Sequence, residues 1–223
     1  MDEVELVIFD MAGTTVEDCG EVPDAFVGAL AEHGIRVTPE QLSAVRGSSK
    51  RQAVLDLIPA GPGRQSRAAA VYDSFRERLA IRYRSDGVRA VAGAVSTFRR
   101  LRERGVRVAL NTGFDRETTV LLLDALGWDG RVVDAVVCGD DVSRGRPAPY
   151  LIFRAMEAAG ACSVRGVVNV GDTVLDLRAG HNAGVRWNVG VLSGAHARAA
   201  LEAAPHTHLL ASVADLPGLW DAA

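Results

Sequence analysis

Short apolar runs alternate with longer amphipathic stretches along most of the chain. Five runs are rich in β-branched residues and close on glycine or polar residues: 6–9, 106–110, 135–138, 166–170 and 185–191. Such runs read as strands buried in a parallel sheet. Helical periods over 91–104, 116–126, 149–159 and 175–183 fall between them. Strand and helix in turn predict an α/β fold with a doubly wound parallel sheet. Residues 16–86 interrupt the alternation. They show no strand pattern but three amphipathic stretches, at 23–33, 39–58 with a break near Gly47, and 67–82; "PAGPGRQ" at 59–65 marks a loop. The expectation is an all-helical insertion over 16–86 within an α/β core formed by 1–15 and 87–223.

Composition narrows the function classes. An apolar content of 48% supplies a sizeable core, and a formal net charge of -3 does not suit a nucleic-acid or anionic-membrane binder. No apolar run is long enough to span a membrane. Cys19, Cys138 and Cys162 match no zinc spacing and no disulfide framework, so reduced thiols in a cytoplasm are expected. The chain starts acidic and strand-like, without the pattern of a signal peptide.

Four polar clusters fall at predicted strand ends, where open α/β sheets bind ligands: Asp10 with Thr14 and Thr15, "NTG" at 111–113, "GRPAP" at 145–149, and "GDTVLD" at 171–176. Each alone is a common cap or turn. Four at the ends of one sheet suit phosphoryl transfer. A carboxylate such as Asp10 becomes a nucleophile when a cation relieves its repulsion from a phosphoryl group. Asp10 and Asp172, supported by Asp176, would hold Mg²⁺, which favours carboxylates, water and substrate oxygens. Thr112 and the Gly113 N–H, ahead of a helix, would hold phosphoryl oxygens, and Arg146 would add fixed positive charge.

"FDMAGTTVED", "NTGFDRE", "CGDDVSRGRPAP" and "VGDTVLDLRAGHNAGVRWNVGV" resemble, in order, the motifs of the haloacid dehalogenase superfamily. The resemblance is strongest to its phosphonatase branch, where Ala12 replaces the usual second aspartate and Arg146 the usual lysine. It implies that Asp10 is the nucleophile, that Asp10, the Ala12 carbonyl and Asp172 hold magnesium, and that the helical insertion is a mobile cap. It also implies an aspartyl-phosphate intermediate, a small organophosphorus substrate and, by analogy with the branch, a homodimer.

Ala12 sets the chemical problem. The missing aspartate acts elsewhere in the superfamily as acid to the leaving group and base to water, worth about 10²–10⁴-fold. The phosphonatase branch uses instead a cap lysine that forms a Schiff base with the substrate aldehyde. Lys50 is the only lysine in the sequence and sits in G-x-x-K after Gly47, as in that branch. The local match is incomplete: Arg46 and Ala53 stand where the branch has methionine and histidine. Lys50 therefore has two further readings, a substrate contact without imine formation and a solvated helix residue. Arg46, Lys50 and Arg51 would give the insertion a cationic face. Asp140 and Asp141 read as loop residues, Glu17 and Asp18 as orienting the linker, and Trp187 as core. The histidines form no catalytic pairing. The reading is a phosphonatase-like hydrolase acting on a phosphonoacetaldehyde-like C–P bond. A phosphomonoesterase and a turnover-deficient phosphate-binding protein are the alternatives.

Overall fold

The computed structural model describes residues 4–221. Six strands form one parallel sheet: β1 (Leu6–Asp10), β2 (Arg107–Asn111), β3 (Ala135–Val137), β4 (Val167–Gly171), β5 (Trp187–Val191) and β6 (His208–Leu210), in the order β3-β2-β1-β4-β5-β6. β1 lies at the centre between β2 and β4, with Asp10 in register with Asn111. Every residue of β1 and β4 is buried, and alternate side chains enter different layers. Val7 and Phe9 join Phe98, Leu101 and Leu122, while Leu6 and Ile8 join Leu151, Ile152 and Ala179. The first layer is made by α5 (Ala94–Glu103) and α6 (Arg116–Leu126), the second by α7 (Tyr150–Ala159) and α8 (Val174–Ala183). The sheet is thus wound on both faces, as the alternation predicts.

Between β1 and α5 the elements are all helices: α1 (Glu21–Glu32), α2 (Pro39–Ala44), α3 (Lys50–Leu57) and α4 (Arg64–Asp86). The break expected near Gly47 separates α2 from α3. α1 and α4 pack through Phe26 and Phe75, whose ring centroids are 4.7 Å apart. The two passages joining this segment to the sheet run side by side. Glu17 N–H donates to Arg89 O at 2.9 Å, Val91 N–H to Thr15 O at 2.9 Å, and the Glu17 carboxylate pairs with Arg89.

Several boundaries differ from the sequence reading. α1 starts two residues early because Asp18 Oδ1 accepts from the N–H groups of Gly20 and Val22. α4 extends at both ends. β6 and the short helices α9 (Arg198–Glu202) and α10 (Gly218–Asp221) are additions. Trp187 is not fully core: it is half-buried at the sheet margin, stacked edge-on against Trp220 at 5.1 Å. Among the described residues no helix is long and apolar enough to cross a membrane.

Candidate active site

The carboxyl ends of β1, β2 and β4, the loop before α7 and the α2–α3 turn meet around one small cavity. Asp10 is the last residue of β1 and is 6% exposed. The turn that follows is held by Thr15, whose hydroxyl donates to Asp10 O at 2.8 Å. Asp172 follows β4 and is fully buried. Its Oδ1 accepts from the Thr14 hydroxyl at 2.9 Å and its Oδ2 from Ala195 N–H at 2.6 Å. Backbone crowds this carboxylate: a Cβ on Gly13 would lie 2.4 Å from Oδ2, and one on Gly194 2.0 Å. Gly13 also holds φ +90°, so both space and conformation demand glycine there.

Arg146 is the hub. Its Nη2 lies 2.8 Å from Asp10 Oδ1 and its Nε 2.8 Å from Asp176 Oδ1. It also donates to the side-chain and backbone oxygens of Asn111 and, at 3.2 Å, to Gly47 O. Burial works against its charge, but Asp176 and Asp10 outweigh burial and raise its pKa. Asp176 is committed at both oxygens. Oδ1 meets Arg146, and Oδ2 accepts from the Thr173 N–H and hydroxyl, closing a capping box on α8. The arrangement suits Asp176 to orienting Arg146.

Asp10, Asp172 and Asp176 are the metal-capable acidic group among the described residues, with ligand atoms within 4.8 Å of one another. Burial, opposed by Arg146, pushes Asp10 up to about 6. Burial and then the charges of Asp10 and Asp176 push Asp172 up to about 8. Carboxylates that burial and mutual repulsion hold back from ionising, in a set of hard oxygen donors, fit a divalent cation such as Mg²⁺. This has a consequence for stability. An aspartate with pKa raised in the folded state binds protons that the unfolded chain releases, so raising pH from 5 to 8 costs stability. EDTA-treated wild type is therefore expected to lose melting temperature over that range relative to Asp172→Asn. Equal pH dependence in the two proteins would contradict this electrostatic account.

Thr112 and Gly113 follow β2. The Thr112 hydroxyl accepts from Phe114 N–H at 3.2 Å, leaving its own proton to donate, and Gly113 N–H has no protein acceptor among the described residues. The helix expected to help bind phosphoryl oxygens starts only at Arg116, capped by Asp115; the donors here are loop donors.

The helical segment comes down directly onto this floor. Lys50 N–H donates to Gly113 O at 3.0 Å, and Gly47, at φ +84°, lies where a Cβ would be 2.2 Å from Thr173 Oγ1. Lys50 opens α3 with its amine 5.2 Å from the Phe114 ring centroid. Burial pushes that amine below its usual pKa, opposed by Asp10. Lys50, Asp10, Asp18, Thr112, Arg146 and Asp172 line one cavity of about 60 Å³, and Ala12 and Arg46 also border it. Arg51 departs from the expectation. It stacks on the Tyr72 ring at 4.5 Å and lines a separate, wider cleft of about 800 Å³ behind α3. An arginine one residue after Lys50 on a helix points about 100° away. Asp140 and Asp141 hold the loop: Asp140 accepts from Arg116 N–H, Asp141 from Cys138 N–H and the Arg116 side chain. Cys19 is exposed beside Arg89 and does not border the cavity. The sequence reading missed the 193–196 turn, which meets the site through Ala195, Ser193 and His196. The Ser193 hydroxyl donates to Gly13 O, and His196 Nδ1 accepts from Val174 N–H at the start of α8. Its position just after β5 was the available signal.

Residues 4–184 match the family described as haloacid dehalogenase-like hydrolase. The chain belongs to this family of hydrolases. A phosphonoacetaldehyde hydrolase of Bacillus cereus is 32% identical over 210 residues, covering 86% of this chain and 77% of that one. Among solved structures, a hydrolase from Pseudomonas syringae superposes with a TM-score of 0.86 at 23% identity, covering 98% of each chain. A phosphonoacetaldehyde hydrolase-like protein from Oleispira antarctica gives 0.82 at 22% identity, covering 98% of this chain and 92% of that one. These likenesses place the six-stranded fold among the hydrolases of the family.

Proposed function

We propose that this hydrolase cleaves the C–P bond of a small β-carbonyl phosphonate, in the manner of a phosphonatase. The observation that carries the reading is the meeting of the only lysine with Asp10 in one small cavity, beside an Ala12 that can neither give nor take a proton. The Lys50 amine adds to the substrate carbonyl and loses water to form an iminium. An Asp10 oxygen attacks phosphorus, the C–P bond breaks, and its electron pair passes into an enamine. Protonation and hydrolysis of the enamine free Lys50; hydrolysis of the aspartyl-phosphate frees Asp10. One water is consumed overall. Burial favours the neutral, nucleophilic amine. Arg146, Thr112 and the Gly113 N–H hold the phosphoryl oxygens. Asp10, Asp172 and the Ala12 carbonyl would hold Mg²⁺, which when bound relieves repulsion between Asp10 and the phosphoryl group.

Residues 16–86 act in this reading as a cap on a core of 1–15 and 87–223, of which 1–3 and 222–223 lie outside the described residues. In this reading the cap lifts to admit substrate and closes to exclude water. The enzyme is read as cytoplasmic and dimeric, by analogy with the phosphonatase branch.

The test is borohydride trapping with phosphonoacetaldehyde, read by intact mass. Wild type is expected to gain one substrate-derived adduct, lost in Lys50→Arg, and to release phosphate. Phosphate from a phosphate ester, with no adduct from the aldehyde, would replace this reading by a phosphomonoesterase. Binding of a phosphate analogue without turnover of any substrate would mark a phosphate-binding protein.

A further inference from the structure

Two arginines border the cavity, and they differ in kind. Arg146 is ion-paired with Asp10 and Asp176 and bonded to Asn111 and Gly47 O. Among the described residues the Arg46 guanidinium makes no ion pair or hydrogen bond; its charge is felt by the half-buried His196. Its backbone is nonetheless fixed. Arg46 N–H donates to Ser43 O at 3.2 Å, and the next residue, Gly47, touches Thr173 so closely that no side chain fits between them. The turn therefore presents Arg46 to the cavity from the helical side. Val22, Phe26, Leu42 and Val45 form an apolar part of the cavity wall. Asp18, the carboxylate on that wall, is already engaged by the N–H groups of Gly20 and Val22. A half-buried guanidinium with no anion of its own gains a charge-assisted hydrogen bond when a ligand brings one. Its planar fork matches a carboxylate.

We infer that Arg46 binds a substrate carboxylate, so that the preferred substrate is an α-keto acid carrying the phosphonate on the carbon next to its carbonyl. The inference rests on the Lys50 chemistry proposed above. Along such a molecule the groups run phosphorus, methylene, carbonyl, carboxylate. They meet in turn Asp10 on the floor, Lys50 at the cap margin and Arg46 on the cap wall. The products are inorganic phosphate and the α-keto acid with a methyl group in place of the phosphonomethyl group, for one water consumed.

The experiment compares kcat/KM for phosphate release from 3-phosphonopyruvate and from phosphonoacetaldehyde, with Mg²⁺, for wild type and Arg46→Met. Wild type is expected to favour the keto acid at least about tenfold, since a site built to bond a charged group discriminates against an analogue lacking it. Arg46→Met is expected to reduce that preference by about 10–10²-fold, chiefly through KM. No preference in wild type, or equal losses on both substrates in the variant, would overturn the carboxylate assignment and leave Lys50 chemistry standing. No phosphate and no borohydride adduct from either compound would overturn the C–P reading and this inference with it.

Discussion

Replacing Asp10 by asparagine is expected to lower phosphate release at least about 10⁴-fold while leaving the fold intact. The amide matches the carboxylate in shape but cannot carry a phosphoryl group through an acyl phosphate. No neighbour can take its place. Asp172 is buried and engaged by Thr14 and Ala195, and Asp176 by Arg146 and Thr173. Arg146 loses one partner but keeps Asp176, Asn111 and Gly47 O, so it remains satisfied. Removing one charge from a crowded acidic group also relieves repulsion on Asp172, which Asp10 helps to raise. The variant should therefore melt no lower than wild type without metal. Retention of a tenth of the wild-type rate in Mg²⁺ would sink Asp10 as nucleophile, whatever the substrate.

The second large effect is expected from a methyl group. Gly113 has no positive φ, so alanine is conformationally acceptable there. Space is the obstacle: a Cβ would lie 2.3 Å from Ser48 O and 3.0 Å from Ser48 C. Both are backbone atoms, so the turn itself must withdraw, and with it Lys50, whose N–H is bonded to Gly113 O. A displacement of about 1 Å at a reacting group can cost about 10²-fold. Gly113→Ala is expected to lose kcat by that order while its melting temperature changes little, because β2 and its core neighbours are untouched. An unchanged kcat would mean that the close approach of the 47–50 turn to the floor is not the reactive arrangement.

Much of this site could be read along the chain because parallel sheets collect their chemistry at strand ends. The polar clusters following β1, β2, β3 and β4 were visible as interruptions of apolar runs. Lys50 stood out by composition, being alone among the basic residues in its type. The break at Gly47 was visible because glycine stops a helical period. The neighbouring Arg51 shows where such reading stops. Charge in sequence does not say which way a helix faces, and packing on Tyr72 turns it out of the cavity.

What the sequence by itself determined is the alternation of strand and helix, the helical interruption after the first strand, and the residue types that phosphoryl transfer requires. These are local properties, carried by periodicity and by punctuation at element ends. What only the tertiary structure decided is who meets whom. The central place of β1 between β2 and β4 brings Asp10 beside Asp172 and the Asn111–Gly113 loop across more than a hundred residues. The 193–196 turn reaches Asp172 only because β5 pairs with β4. β6, three half-buried residues long, is too short to carry a period and owes its conformation to pairing with β5. The contrast between Arg146, paired with two carboxylates, and Arg46, paired with none among the described residues, arises the same way. Both are arginines beside a glycine in the sequence, and long-range contacts alone give one its carboxylates and leave the other facing the cavity.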